Sequence, residues 1–292
     1  VIAEIGKPDV LFTEFTMTEG LLSHGRERVM ENLQYLPEQR PIIAQIWGTK
    51  PDFFYRTALE LVEMGFDGID INMGCPDRTV IKGGACSALI KNPSLAGEII
   101  EATKKGAGDL PVSVKTRVGF DHDQKEEWIT FLLEQKIAAL TVHLRTVREM
   151  SKVPAHWEYM PDIRKMRDSI APDTILIGNG DITSLAEIHD KYNEFKADGY
   201  MVGRGIFANP WMFNSKVHME DISVEQRVDL FLHHIDIFIK TWGGEKNFAN
   251  LKKFAKTYIS NFHESSDLRA KLMETKKIEQ LITILQDYKA AL

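Results

Sequence analysis

The chain has 292 residues, 43% of them hydrophobic and 27% charged, with a net charge of −6. That length and apolar content can bury a large core, with room for one big domain and a smaller one. No apolar run is long enough for a membrane span, no leader marks secretion, and two cysteines without a Cys-x-x-Cys or a His cluster give neither a disulfide framework nor a zinc pattern. A cytoplasmic protein with reduced thiols, no membrane and no metal is expected.

Seven runs rich in Val, Ile and Leu recur along the chain: Asp9 to Phe15, Pro41 to Gly48, Gly68 to Met73, Pro111 to Val118, Ala139 to His143, Thr174 to Gly178 and Gly199 to Val202. Amphipathic segments lie between them, including Phe53 to Met64, Pro93 to Lys105, Lys125 to Gln135, Glu158 to Ser169 and Ser184 to Phe195. Strand and helix in alternation imply parallel strands joined by crossovers, hence an α/β fold, a barrel or a doubly wound sheet. From Ser223 onward only helical periodicity remains, with breaks near Gly243-Gly244 and Ser265-Ser266, which predicts three or four helices in a separate bundle. The expected domains are residues 1–216 and 217–292.

In a parallel α/β protein the chemistry sits at the carboxyl ends of the strands. Gln45, in Ile-Ala-Gln-Ile-Trp-Gly, is an amide at such an end; it can pair with the pyrimidine edge of a flavin, or cap a loop. The run Gly68 to Met73 stops at Asn72, Gly74, Cys75 and Pro76, and Cys75 there can be a nucleophile, a general acid, a metal ligand or a small buried hydrophobe. Lys115 and Arg117 lie within a β-branched run, where an ammonium needs an anion or a carbonyl edge. Arg117 reads as an ion-pair partner or an RNA contact. His143 and Arg145 follow the next strand, in Val-His-Leu-Arg-Thr.

Gly178-Asn179-Gly180-Asp181-Ile182 and Gly203-Arg204-Gly205 follow the last two strands. Those loops commonly hold a phosphate in a (β/α)8 barrel, so Asn179, Gly180, Asp181, Gly203 and Arg204 are candidates for the phosphate of a flavin mononucleotide. No Gly-x-Gly-x-x-Gly follows a first strand, which leaves a Rossmann dinucleotide domain unsupported. Residues 221–292 carry 11 of the 36 basic and 10 of the 42 acidic side chains, and residues 240–258 gather Lys240, Lys246, Lys252, Lys253 and Lys256 against Glu245 alone. Trp242, Phe248, Phe254 and Tyr258 are interleaved with them, so this stretch is a solvated helix face or, in an RNA enzyme, the place for phosphate contacts by Lys252 and Lys253.

Asp-Ile-Asn-Met-Gly-Cys-Pro at 70–76, followed by Gly-Gly-Ala-Cys-Ser-Ala-Leu at 83–89, resembles the signature of the tRNA-dihydrouridine synthases, and further matches run in order along most of the chain. The resemblance implies a (β/α)8 barrel that binds FMN, followed by a helical domain that helps grip tRNA, with NADPH as reductant. It places Cys75 at the catalytic position and Lys115 beside the flavin ring, makes His143 a flavin contact, and leaves Cys86 to packing. The family opens with a strand ending in Pro-Met, which implies that the seven strands here are the second to the eighth. It more often has Gly where this chain has Leu144, and Val147 to Trp157 reproduce its downstream pattern only in part.

The implied reaction adds hydride at C6 of uracil and a proton at C5. An ordinary thiol is mostly protonated at pH 7, so Cys75 can supply that proton, while Asn72 bonds the uracil edge and Arg145 touches the substrate. A base in folded RNA must be turned out into the pocket. Two rivals remain: a flavoenzyme of free pyrimidines, of the dihydroorotate or dihydropyrimidine dehydrogenase type, and an RNA-binding barrel without redox function.

Overall fold

The computed structural model describes all 292 residues, in two compact units. One comprises Asp9–Ile182 with Ala186–Gly203; the other comprises Val1–Pro8, Thr183–Leu185 and Arg204–Leu292. The chain thus leaves the first unit at Gly203, ahead of residue 217.

The first unit is an α/β unit built on one parallel sheet. Its strands are β1 (Leu11–Phe12), β2 (Thr16–Met17), β3 (Ile42–Trp47), β4 (Gly68–Met73), β5 (Val112–Arg117), β6 (Ala139–His143), β7 (Ile175–Asn179) and β8 (Gly199–Met201). They lie in the order β1-β3-β4-β5-β6-β7-β8, with β2 also on β3, and β1 and β8 end the path. The sheet is curled and open, part of a barrel wall.

The run expected as one first strand is two. Both pieces pair with β3, but between them the Oγ1 of Thr13 accepts the backbone N–H of Gln45 at 3.0 Å, so a side chain takes the donor a strand carbonyl would use. Helices follow the strands over Pro51–Glu63, Pro93–Ala107, Lys125–Glu134, Met160–Ile170 and Leu185–Phe195. Two start on a proline, whose missing N–H costs nothing in a first helical turn.

Strand side chains alternate between the two faces. One set is apolar and sealed: Ile69, Ile71, Met73, Val114, Leu140, Val142 and Leu176 have no measurable exposure. The opposite set is largely polar. Parallel register aligns Gln45 with Asp70 and Ser113, Asn72 with Lys115 and Thr141, and Arg117 with His143 and Asn179. Barrel interiors are ordinarily filled by branched apolar side chains, so a polar inner face is a surface kept for something else.

The second unit is helical, with Val224–Trp242, Ala249–Lys252, Ala255–Tyr258, Ser265–Glu274 and Ile278–Ala290 as its principal segments. Ser223 and Gln226 form a capping box at the start of the longest, and Gly243, at φ 56°, ends it. The break expected near Ser265-Ser266 falls at Glu264, at φ 60°, and the two serines begin the next helix. Phe231, Ile235, Leu251, Ile259, Leu272 and Leu281 form its core.

The helices Pro51–Glu63 and Pro93–Ala107 pack closely at Gly106, where an added Cβ would lie 2.3 Å from the carbonyl oxygen of Tyr55. Gly97, on the same helix, has 3.5 Å to the nearest atom. Gly106→Val should therefore cost about 1–3 kcal/mol in urea unfolding, while Gly97→Ala should be neutral or stabilise by roughly 0.5–1 kcal/mol.

Candidate functional site

The polar face gathers most of the residues singled out from the sequence. Gln45, Asn72 and Asn179 are each 8% exposed, and Asp70, beside Gln45, is sealed from solvent. Gln45 donates from Nε2 to Asp70 Oδ2 at 2.7 Å, and its Oε1 accepts from Asn72 Nδ2 at 2.9 Å. Asn72 Oδ1 then accepts two backbone N–H groups, of Gly74 and Cys75, each at 3.0 Å. On its other oxygen Asp70 accepts Ser113 Oγ–H at 2.6 Å.

Lys115, partly buried on the same face, donates to Asn179 Oδ1 at 3.2 Å, and Asn179 Nδ2 donates to the carbonyl of Met201 at 2.7 Å. Desolvation lowers the Lys115 pKa to about 8, against the pull of Asp70, and raises that of Asp70 to about 6, against its hydrogen bonds from Ser113 and Gln45. Near pH 7 the face thus carries an ammonium and a carboxylate.

Cys75 is half-buried and Cys86 buried. A hydrogen bond from the Cys86 thiol lowers Cys75 to about 6, and burial only partly opposes it; the same contact, with burial, pushes Cys86 up. Ser87 Oγ donates to the Cys75 carbonyl at 2.7 Å, a second tie between the two segments. The expectation of an ordinary, mostly protonated thiol therefore gives way to a depressed one. Sequence could not show this, since it depends on a thiol brought back by the turn at 83–86.

The guanidinium groups serve the loops. Arg117 donates to the carbonyls of Gly74, Thr146 and Met150, each at 2.9 Å, and so ties the Cys75 turn to the loop after β6. Arg145, 2% exposed, pairs with Asp181, donates to the Val153 carbonyl at 2.7 Å and lies 3.1 Å from His143 Nε2. Arginine has no acceptor, so this His143 nitrogen accepts and a neutral ring carries its proton on Nδ1. Asp181 also accepts the backbone N–H of Ala155 at 3.0 Å. Arg145 and Asp181 are thus drawn into fixing one loop.

Gly180, at φ 144°, packs against Ala155 so closely that a Cβ would come within 2.6 Å, and its carbonyl accepts Trp157 Nε1–H at 3.1 Å. Gly203 leaves open space where a Cβ would stand. Arg204, next in the chain, belongs to the helical unit, where it lines a cavity of about 660 Å³ with Phe207, Lys253, Phe254, Lys256 and Thr257. Phe207 is 51% exposed there, and its ring centroid is 5.9 Å from that of Phe254. Lys252 turns elsewhere: its ammonium donates to the carbonyls of Met273 at 3.0 Å and Thr275 at 2.5 Å, capping the helix Ser265–Glu274.

Sequence reading gave no role to Asp70 or Ser113, and it named Lys256 only as one of the basic run while singling out Lys252 and Lys253. The period-2 signal for the first two was present, since Asp70 and Asn72 share a face of β4 just as Ser113 and Lys115 share a face of β5.

The family model described as dihydrouridine synthase matches residues 1–292. A Bacillus subtilis protein described as probable tRNA-dihydrouridine synthase 2 is 43% identical over 99% of this chain and 88% of its own length. A Staphylococcus aureus protein described as a probable tRNA-dihydrouridine synthase is 42% identical over the same shares. Among solved structures, 2-naphthoyl-CoA reductase in complex with 2-naphthoyl-CoA has a TM-score of 0.55 at 12% identity, covering 71% of this chain and 44% of that one, a likeness of fold.

Alkylation by iodoacetamide follows the thiolate. Its rate at Cys75, read by peptide mass spectrometry, should reach half its plateau near pH 6, and the midpoint should move upward in Cys86→Ala.

Proposed function

The chain belongs to the dihydrouridine synthase family, and on that premise we propose that its polar sheet face holds FMN and reduces the C5=C6 bond of uridine in tRNA, with NADPH as reductant and Cys75 as proton donor. The observation that carries the reading is the joined polar face itself: amides, an ammonium and a thiol-bearing turn lie where a closed barrel keeps branched apolar residues.

The residues suit the cofactor. Gln45 offers one amide hydrogen and one oxygen lone pair to a pyrimidine edge, Lys115 offers a partly exposed positive charge, His143 a ring contact, and Gly203 close backbone approach to a phosphate. Bound there, reduced flavin would supply the hydride for C6 of the base. Cys75 then sets its proton at C5, while Asn72 fixes the turn that presents the thiol and keeps one amide hydrogen for the uracil edge. A thiol near 6 is about one-tenth protonated at pH 7, close enough to the working pH for general acid catalysis. Lys115, protonated below about 8, offsets negative charge developing on this face.

Arg204, Lys253 and Lys256, with Phe207 and Phe254 among them, suit the backbone and bases of RNA. The free-pyrimidine reading leaves that pocket without a task, and the relatives do not favour it. An RNA-binding barrel without redox function leaves Cys75 and Lys115 unexplained. Cytoplasmic location follows from a proton donor that must stay a thiol; no helix is long and apolar enough to cross a membrane.

With unmodified tRNA, FMN and NADPH, mass spectrometry should show a gain of two mass units at specific uridines, and none with free uracil. Cys75→Ala should lose turnover by about 100-fold or more while keeping flavin. Reduction of free uracil without tRNA would favour the rival. Since the donor must be protonated, kcat/KM should fall about tenfold per pH unit above about 6. Lys253→Ala with Lys256→Ala should raise the tRNA KM and flatten its salt dependence.

A further inference from the structure

We propose that Asp70 is a positioning residue: its carboxylate fixes the direction of a hydrogen-bond relay through Gln45 and Asn72 that sets the backbone of Cys75. The proposal rests on the reading of Cys75 as proton donor.

Asp70 lies mid-strand, sealed from solvent. A carboxylate offers only acceptors, so both neighbours must donate to it: Ser113 through Oγ at 2.6 Å and Gln45 through Nε2 at 2.7 Å. An amide that donates at one end presents its oxygen at the other, so Gln45 Oε1 faces Asn72 and must receive Nδ2–H, at 2.9 Å. Asn72 is thereby turned with Oδ1 toward the Gly74 and Cys75 amides, each at 3.0 Å. Reversing Gln45 would set oxygen against the carboxylate and N–H against N–H at Asn72, and reversing Asn72 as well would set N–H against N–H at the Cys75 turn. The relay also decides which face of Gln45 is left for a ligand, since one amide hydrogen and one oxygen lone pair are already taken. A charged acceptor makes stronger bonds than a neutral one and leaves no second arrangement at its end of the chain.

Isosteric variants isolate the direction from the fold. In Ser113→Ala the carboxylate still accepts from Gln45. In Asp70→Asn the new amide can still offer oxygen to Gln45 and give its NH2 to the Ser113 hydroxyl. In the double variant that hydroxyl is gone: the Asn amide either accepts from Gln45 and leaves its NH2 unpaired, or donates to Gln45 Oε1, so the reversed relay becomes an open alternative.

Amide hydrogen exchange of the flavin-loaded proteins at Gly74 and Cys75 reads this without activity. Each single variant should lie within about threefold of the parent, and the double should exchange at least about tenfold faster, with the β6 and β7 amides unchanged. The double should also lose dihydrouridine turnover through kcat, with the tRNA KM little altered. A double variant whose exchange is no more than the product of the singles, or an Asp70→Asn as impaired as the double, overturns the proposal. Faster exchange with full turnover would uphold the relay and remove Cys75 from proton transfer.

Discussion

A sealed carboxylate on a sheet face, with a partly buried ammonium two pairing rows along the same face, is the constraint on which this structure turns. Neither charge leaves water cheaply, and only when hydrogen-bonded throughout does such a site persist. Asp70 is met by Ser113 and Gln45, and Lys115 by Asn179. Those partners are the inward-facing residues of β3, β5 and β7, so the register of the sheet is what satisfies the charges. A slip of one residue would turn every one of them into the apolar layer beneath the helices.

That arrangement divides the labour of the sheet. The sealed face, with Ile69, Ile71, Met73, Val114 and Leu140, supplies the hydrophobic burial. The polar face contributes little of that and is free to hold a cofactor edge. At the strand ends the arginines do mechanical work, Arg117 spanning from Gly74 to Thr146 and Arg145 anchoring Val153 and Asp181, so the loops around Cys75 rest on charge-assisted bonds to backbone carbonyls. In the helical unit Lys253, Lys256 and Arg204 line an open cavity beside exposed aromatic surface.

Much of this was legible in the sequence. The apolar runs located the strands of the sheet because buried parallel strands need them, and the Asn72-to-Cys75 stretch could be placed at a strand end because the run stops there. What sequence does not encode locally is which partner a long side chain meets. Arg145 reads as a substrate contact until the loop after β6 folds over it, and Lys252 as a phosphate contact until the end of the helix Ser265–Glu274 comes to rest on it. Asp70 shows by period alone that it shares a face of β4 with Asn72, but its partners appear only when register sets it between Gln45 and Ser113. The division of the first strand by Thr13 is likewise a tertiary event, a hydroxyl met by the Gln45 amide.

The central claim is that the polar sheet face is the flavin cradle. Titrating the flavin-free protein with FMN, and following the quenching of flavin fluorescence, tests it directly. The account predicts saturable one-to-one binding that weakens at least about tenfold in Lys115→Met and in Gln45→Leu, with circular dichroism unchanged. Failure to bind FMN, or equal affinity in both variants, would contradict it.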